Sequence, residues 1–335
     1  MSANVETMMY TGTEPWHGLG VYVGDKNINS REAITAAGLN WGVEKRRSYF
    51  QAKDGQFRKG DGFDIVRTDK EKSLGHVGDV YTPVQNLEAF EFMDAVIGQG
   101  RAVYHTAGSL GEGRKIWILV DMREEAEIVN GDPVRNFVLL SNGHDGRSML
   151  DIGLTTVRVV CQNTLNLALS TREKSQFFSF RHTRGIHGKT IQVQDALKAV
   201  SAKFSNFVED GKKLAARQIT RKELDEFLIK LELERANDRE QVNAAKVSEF
   251  KRTDKYRQML WAFENSPGNI RSKAEGTLWA AVNGVTYYID HQAPSRKTDN
   301  FTTTQQARLN SAWFNGGVVK KNRAFELALQ MAGKV

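Results

Sequence analysis

Ile116-Trp117-Ile118-Leu119-Val120 is an unbroken apolar run, the pattern of a strand buried on both faces. It belongs to residues 114–122, which face residues 101–109 across Gly111-Glu112-Gly113 and so read as a hairpin. A second hairpin joins 134–141 to 147–153 through Asn142-Gly143-His144-Asp145-Gly146. Before both, residues 41–85 mix aromatic and β-branched residues with Asp-Gly pairs at 54–55 and 61–62, expected turns between short antiparallel strands. Leu87, Phe90, Val96 and Ile97 form a helical stripe that Gly98 and Gly100 end. Residues 1 to about 20 read as an extended arm, and Ser30 as the cap of a short helix.

After the second hairpin the reading is divided. Val157, Val160, Cys161, Leu165 and Leu169 fit a buried helix, while β-branching favours strand over the first half. Residues 177–184 alternate in part, as a strand or an ordered loop would. From about residue 190 the period becomes helical. Val193, Leu197, Val200, Phe204, Phe207 and Val208 recur at three and four residues, and Thr220 with Glu223 forms a capping box. Further helices are expected over about 242–264, ended by Pro267-Gly268, and over 274–291, 304–313 and 319–332. The fold class is therefore α+β: antiparallel β-hairpins packed on helices, then a mainly helical C-terminal portion. The organisation is an arm and short helix over 1–40, an α+β core over 41–190 and a helical portion over 191–335.

The chain has 335 residues, 40% of them hydrophobic and 26% charged, which excludes a collagen-like, mucin-like or wholly disordered protein. Its one cysteine, Cys161, excludes an intrachain disulfide and a multi-thiolate zinc site. That residue falls on an apolar stripe and reads as a packed core thiol. The start MSANVETMMYTGTEPWHG has neither the basic opening nor the apolar run of a signal peptide. No stretch approaches the roughly 20 apolar residues of a membrane span. A reducing, intracellular compartment, the cytoplasm, and no membrane association are expected.

Charge is unevenly placed. The chain carries 47 Lys+Arg against 40 Asp+Glu, and from Arg172 to Lys222 there are 12 basic and 4 acidic residues, a net of +8. A local excess of this sort attracts polyanions through counterion release. Within it, Phe177, Phe178 and Phe180 interleave with Lys174, Arg181, Arg184 and Lys189, a mixture suited to single-stranded nucleic acid, where cations follow phosphates and rings stack on bases. Packed phenylalanines with only the cations exposed would give the same pattern. Arg135, Arg147 and Arg158 are near in chain order and extend the candidate groove.

Other chemistry finds little support. Gly108-Ser109-Leu110-Gly111-Glu112-Gly113 joins two strands and lacks the Gly-Lys-Ser/Thr ending of a P-loop. His182 and His187 sit among basic neighbours that repel a cation. Asp290-His291 stands at a helix end, as a cap or core contact. No catalytic residues, metal site or cofactor are expected.

Three motifs carry a resemblance. Glu14-Pro15-Trp16-His17-Gly18-Leu19-Gly20, the run Arg158-Val159-Val160-Cys161-Gln162-Asn163-Thr164-Leu165, and Gly276-Thr277-Leu278-Trp279 continuing through Val285-Thr286-Tyr287-Tyr288-Ile289-Asp290-His291 resemble the phage/plasmid-like protein family, also labelled domain of unknown function 932. The resemblance spans residues 14–291. It implies a home on phages, plasmids or other mobile elements, and a distant similarity to single-strand annealing proteins of phage recombination. Such proteins hold a strand in a basic groove, assemble into rings or filaments and need no nucleotide.

The expectation is thus a recombination protein that anneals single strands, DNA in preference to RNA. Arg158, Lys174, Arg181, Arg184 and Lys189 would contact phosphates, and Phe177 or Phe178 would stack or wedge. Trp16, His17, Trp279 and Tyr287 would form contacts in a homo-oligomer. The alternative is a non-enzymatic regulatory or counter-defence protein acting through protein–protein contact. A third reading, an enzyme acting on nucleic acid, lacks an assembled set of catalytic groups.

Overall fold

The computed structural model describes residues 5–12, 20–24, 28–97, 102–158, 163–166, 177–234, 242–296, 303–314 and 316–333. Strands β1 (Val5–Tyr10) and β2 (Val21–Tyr22) lead to helix α1 (Ser30–Ala36). A three-stranded antiparallel sheet follows, made of β3 (Val43–Gln51), β4 (Phe57–Arg67) and β5 (Lys72–Val77), and then α2 (Asn86–Ile97). The two expected hairpins are β6 (Val103–Leu110) with β7 (Lys115–Glu127), and β8 (Pro133–Gly143) with β9 (Leu150–Arg158). Short strands β10 (Asn163–Asn166) and β11 (Phe177–Phe180) both pair with β9, one beside Thr155–Arg158 and the other beside Leu150–Gly153. The larger sheet runs β10-β9-β8-β7-β6-β1-β2, with β11 sharing the β9 edge.

Helices fill the remainder: α3 (Thr190–Ala216), α4 (Arg221–Leu233), α5 (Ala244–Arg252), α6 (Asp254–Asn265), α7 (Pro267–Arg271), α8 (Leu278–Tyr287), α9 (Thr304–Phe314) and α10 (Gly316–Met331). The α+β class holds, with its helical C-terminal portion. The five residues Ile116–Val120 are all buried because both faces of β7 are covered. Phe90 of α2 packs on Tyr104, which is paired with Val120, while Trp117 on the opposite face meets Trp313 of α9. One contiguous apolar cluster passes from these strands into α3, α4, α8 and α10. Trp279 Nε1 donates to the buried Asp132 carboxylate (2.7 Å), tying α8 to the turn before β8.

Several sequence expectations are corrected. The start of the chain is more than an arm: β1 pairs antiparallel with β6 and buries Met8 and Met9. The cap of α1 is Asn29, whose side chain accepts from Glu32 N while Glu32 reaches back to Asn29 N. Residues 157–158 and 163–166 form strand and not a buried helix. β-branching wins, and Asn163–Asn166 folds back on Thr155–Arg158 as a hairpin. Cys161 lies outside the described residues. Asp61-Gly62 lies inside β4. The helix expected over 242–264 is broken at Thr253, which accepts from Tyr256 N and starts α6. Pro267 opens α7 rather than only ending a helix, as proline at a first helical position can. The Thr220–Glu223 capping box is present as read.

Candidate functional site

The turns of both large hairpins face the small sheet. Arg67 donates to Glu112 O, Lys72 pairs with the Glu112 carboxylate, and Arg114 donates to Leu74 O. On the β8–β9 side, the backbone of Asp145 lies so close to Gly75 that no side chain fits there. This docking leaves a cleft of about 560 Å³ lined by three segments distant in sequence: His76 to Tyr81, Gly146 to Met149, and Arg181 to Thr183.

The walls are built from buried polar groups. Tyr81 stacks on His182 with ring centroids 4.9 Å apart and an interplanar angle of 19°, and its hydroxyl donates to Gly143 O (3.0 Å). Tyr81 is also bridged to Thr183 through the backbone. Burial pushes the His182 imidazole down to about 4, so the ring is neutral at pH 7. Behind it, His144 is fully buried and is driven down to about 3 by burial and by the neighbouring His182. Asn86 fixes its tautomer: the Asn86 amide donates to Leu39 O and Trp41 O, so its oxygen is left to accept from His144 Nε2 at 2.9 Å. Burial raises the Tyr81 phenol.

The rim carries the charge. Arg147 and Arg181 are exposed and line the cleft, and Arg184 is exposed on the turn that follows. Among the described residues none of these three guanidinium groups meets a carboxylate. Asp145 is the nearby acid, but its own turn engages it: one oxygen accepts from Arg147 N and Ser148 N, the other from Ser148 Oγ. Ser148 therefore points its hydroxyl at a carboxylate and not at a histidine. His76 stands 3.4 Å from Asp64, too long for a firm hydrogen bond. The described residues hold no cluster of three or more His, Cys, Asp or Glu able to take a metal. The arrangement can bind an anion through guanidinium groups that have no carboxylate partner among the described residues, above a buried, neutral His182.

The sequence-derived residues divide. Arg181 lines the cleft together with Arg147, and Arg184 stands exposed on the turn that follows. Arg158 ends β9, Phe177 starts β11 and Lys189 ends a short turn of helix; for these the structure describes the backbone placement. Phe178 is half-buried against the core with the Lys203 ammonium 5.4 Å from its ring centroid, so it is packed and not presented. Arg135 is engaged by Asp121 and Glu125. Lys174, Trp16 and His17 lie outside the described residues. Trp279 is a correction: it is 1% exposed and hydrogen-bonded inside its own protomer, so it cannot anchor a subunit contact. Tyr287 is half-buried between Trp261 and His291. Sequence reasoning missed His76, Tyr81 and His182 as cleft residues. No spacing signals them, because only the docking of the small sheet brings residues 76–81 to 181–183.

A family model described as a domain of unknown function (DUF932) matches residues 73–313, most of the chain, and the protein belongs to that family. The match takes in all three cleft segments and begins within β5. No curated protein and no solved structure matches the chain.

Proposed function

We propose that this protein binds single-stranded nucleic acid, DNA in preference to RNA, and promotes strand pairing without a nucleotide cofactor. The observation that supports the reading is the convergence of Arg147 and Arg181 on one cleft, with Arg184 on the turn that follows and no carboxylate partner for any of them among the described residues. Guanidinium groups suit phosphate because they are always charged and present a planar fork of donors. The neutral histidine floor adds neither charge nor an obvious proton-transfer partner, consistent with a binding role. On this reading the protein serves recombination on a phage, plasmid or other mobile element in a bacterial cytoplasm. Copies repeat as a homo-oligomer so that their short binding sites line up along a strand.

A triple Arg147→Ala, Arg181→Ala, Arg184→Ala variant tests the cleft. All three side chains are exposed, so the variant keeps its thermal midpoint. Fluorescence anisotropy with a labelled 30-nucleotide strand will show weaker binding, and the slope of log K against log salt will shrink by about 2, at roughly 0.7 per lost phosphate contact. Unchanged affinity in the folded variant rejects the cleft as the phosphate site.

One observation favours a second reading. Val80 (68% exposed) and Met149 (37%) place apolar surface at the same rim, as a cleft for an acidic protein segment would. A regulatory protein of that type shows no salt-sensitive affinity for bare oligonucleotides.

A further inference from the structure

Strands β3 and β4 outrun their sheet. β5 ends at Val77, opposite Phe63, whereas the β3–β4 pairing continues through Tyr49–Lys59, Phe50–Arg58 and Gln51–Phe57. From Phe63 to Phe57 the chain advances six residues, about 20 Å at roughly 3.3 Å per residue. Among the described residues, the end of this hairpin is a two-stranded ribbon with no third strand paired to it.

Its side chains do not fit a bystander. Tyr49 is 56%, Phe50 55% and Phe57 72% exposed, three large rings outside the core. Residues directly opposite in an antiparallel pair share a face. Tyr49, Gln51, Phe57 and Lys59 therefore occupy one face, and Phe50 and Arg58 the other. Residues 45–61 contain six basic residues (Lys45, Arg46, Arg47, Lys53, Arg58, Lys59) and two acidic ones (Asp54, Asp61). Arg46 is held by Glu44 and Glu71, and Arg58 by Asp54. Lys53 and Lys59 have no carboxylate partner among the described residues, and Arg47 lies over the Phe63 ring at 4.1 Å.

The ribbon is continuous with the cleft. His76, on the cleft wall, is paired across the sheet with Asp64 of β4. Gly62 is bare of a side chain where a Cβ would collide with the His76 ring. Lys45 at the ribbon base donates to Asp79 O (2.6 Å) and Tyr81 O (3.1 Å), clamping the loop that carries Val80 and Tyr81.

We infer that the β3–β4 ribbon is a base-stacking arm for single-stranded nucleic acid, with Tyr49 and Phe57 meeting bases while Lys53 and Lys59 meet phosphates. The inference rests on the reading of the protein as a single-strand binder and extends the strand's path beyond the cleft. Unpaired bases offer π-faces to exposed rings, and a duplex hides them. An anionic membrane is the less favoured occupant because the rings lie on both faces of the ribbon. A membrane-surface element gathers its apolar groups on one side.

The test compares wild type, Tyr49→Ala/Phe57→Ala and the triple arginine variant against a labelled 30-nucleotide single strand, the matching duplex and phosphatidylserine vesicles. The ribbon variant removes only exposed rings, and circular dichroism melting will confirm its fold. It is expected to bind the single strand about 30-fold or more weakly, since each stacked base contributes roughly 1–3 kcal/mol, with the salt slope unchanged because no charge is lost. Tyr49→Trp is expected to retain affinity. If the arginine variant weakens binding and the ribbon variant does not, the arm is overturned and the cleft stands. If the ribbon variant alone weakens it, the arm stands and the cleft falls. Wild type with no affinity for either oligonucleotide overturns both. Ring removal that weakens duplex or vesicle binding while single-strand binding is untouched overturns the arm.

Discussion

The helical portion and the ribbon–cleft surface use the same residue types in opposite ways. Among the helices, cations face carboxylates. Glu232 is shared by Lys255 and Lys320, Asp225 takes Lys251 and Arg221, and Lys230 pairs with Glu226. Lys321 and Asp290 form an ion pair (2.9 Å) with neither side chain exposed. Most of the described aromatic rings are packed there as well, Phe207 lying against both Trp279 and Phe325, with Trp261 (45% exposed) the exception. At the ribbon and cleft, Lys53, Lys59, Arg147, Arg181 and Arg184 face water without carboxylates among the described residues, and three large rings stand exposed. The difference shows why charge counted along the chain misleads. The segment from Arg172 to Lys222 sums to +8, yet Arg217 and Arg221 within it are neutralised by Glu223 and Asp225. Residues 45–61 sum to only +4, yet Lys53 and Lys59 among them are exposed beside exposed rings.

The contrast breaks most sharply at the buried pair. Asp290→Ala removes the carboxylate that faces the buried Lys321 ammonium, and removing one partner of a buried pair costs about 3–5 kcal/mol. Urea denaturation will show that loss, and oligonucleotide affinity of the remaining folded protein will not change. A small destabilisation would mean that water reaches Lys321. The double variant Asp290→Leu/Lys321→Met removes both charges and is expected to recover most of the loss.

Acid separates the regions next. His144 and His182 sit at about 3 and about 4 in the folded protein, against about 6.5 when unfolded. The unfolded chain binds more protons in that window, so stability rises with pH there. It is complete above about pH 6.5 and is lost as pH falls toward 4. From pH 7 to pH 5 each histidine accounts for about 2 kcal/mol, at 1.36 kcal/mol per pKa unit. Denaturation measured at both values checks this, and a flat profile would place water at the cleft floor. The exposed arginines keep their charge throughout, so binding by the folded protein weakens little over the same interval.

Local signals made much of the fold readable. The Gly111–Gly113 and Asn142–Gly146 turns with their flanking apolar runs gave both large hairpins, and the Thr220–Glu223 box marked α4. The reading failed where two local patterns overlapped. Val157, Val160 and Leu165 fit a helical stripe, but the free edge of β9 was available to pair with Asn163–Asn166. Half of the site could be named because arginines were noticed in the right stretch. Its assembly could not, since it depends on the small sheet docking on turns up to about 70 residues away. The ribbon was read as strand while its exposure went unseen. Tyr, Phe and Lys in a strand look like one buried and one solvated face, whereas the structure leaves rings exposed on both, Tyr49 and Phe57 on one face and Phe50 on the other.

Most direct is the wild-type salt titration. Anisotropy of labelled single-stranded and duplex 30-mers, measured from about 50 to 300 mM salt, gives both slopes of log K. The account predicts tighter binding of the single strand, with a slope of about −2 or steeper, from three or more phosphate contacts at roughly 0.7 each. Absence of single-strand binding at 50 mM salt, or an affinity indifferent to salt, would contradict it.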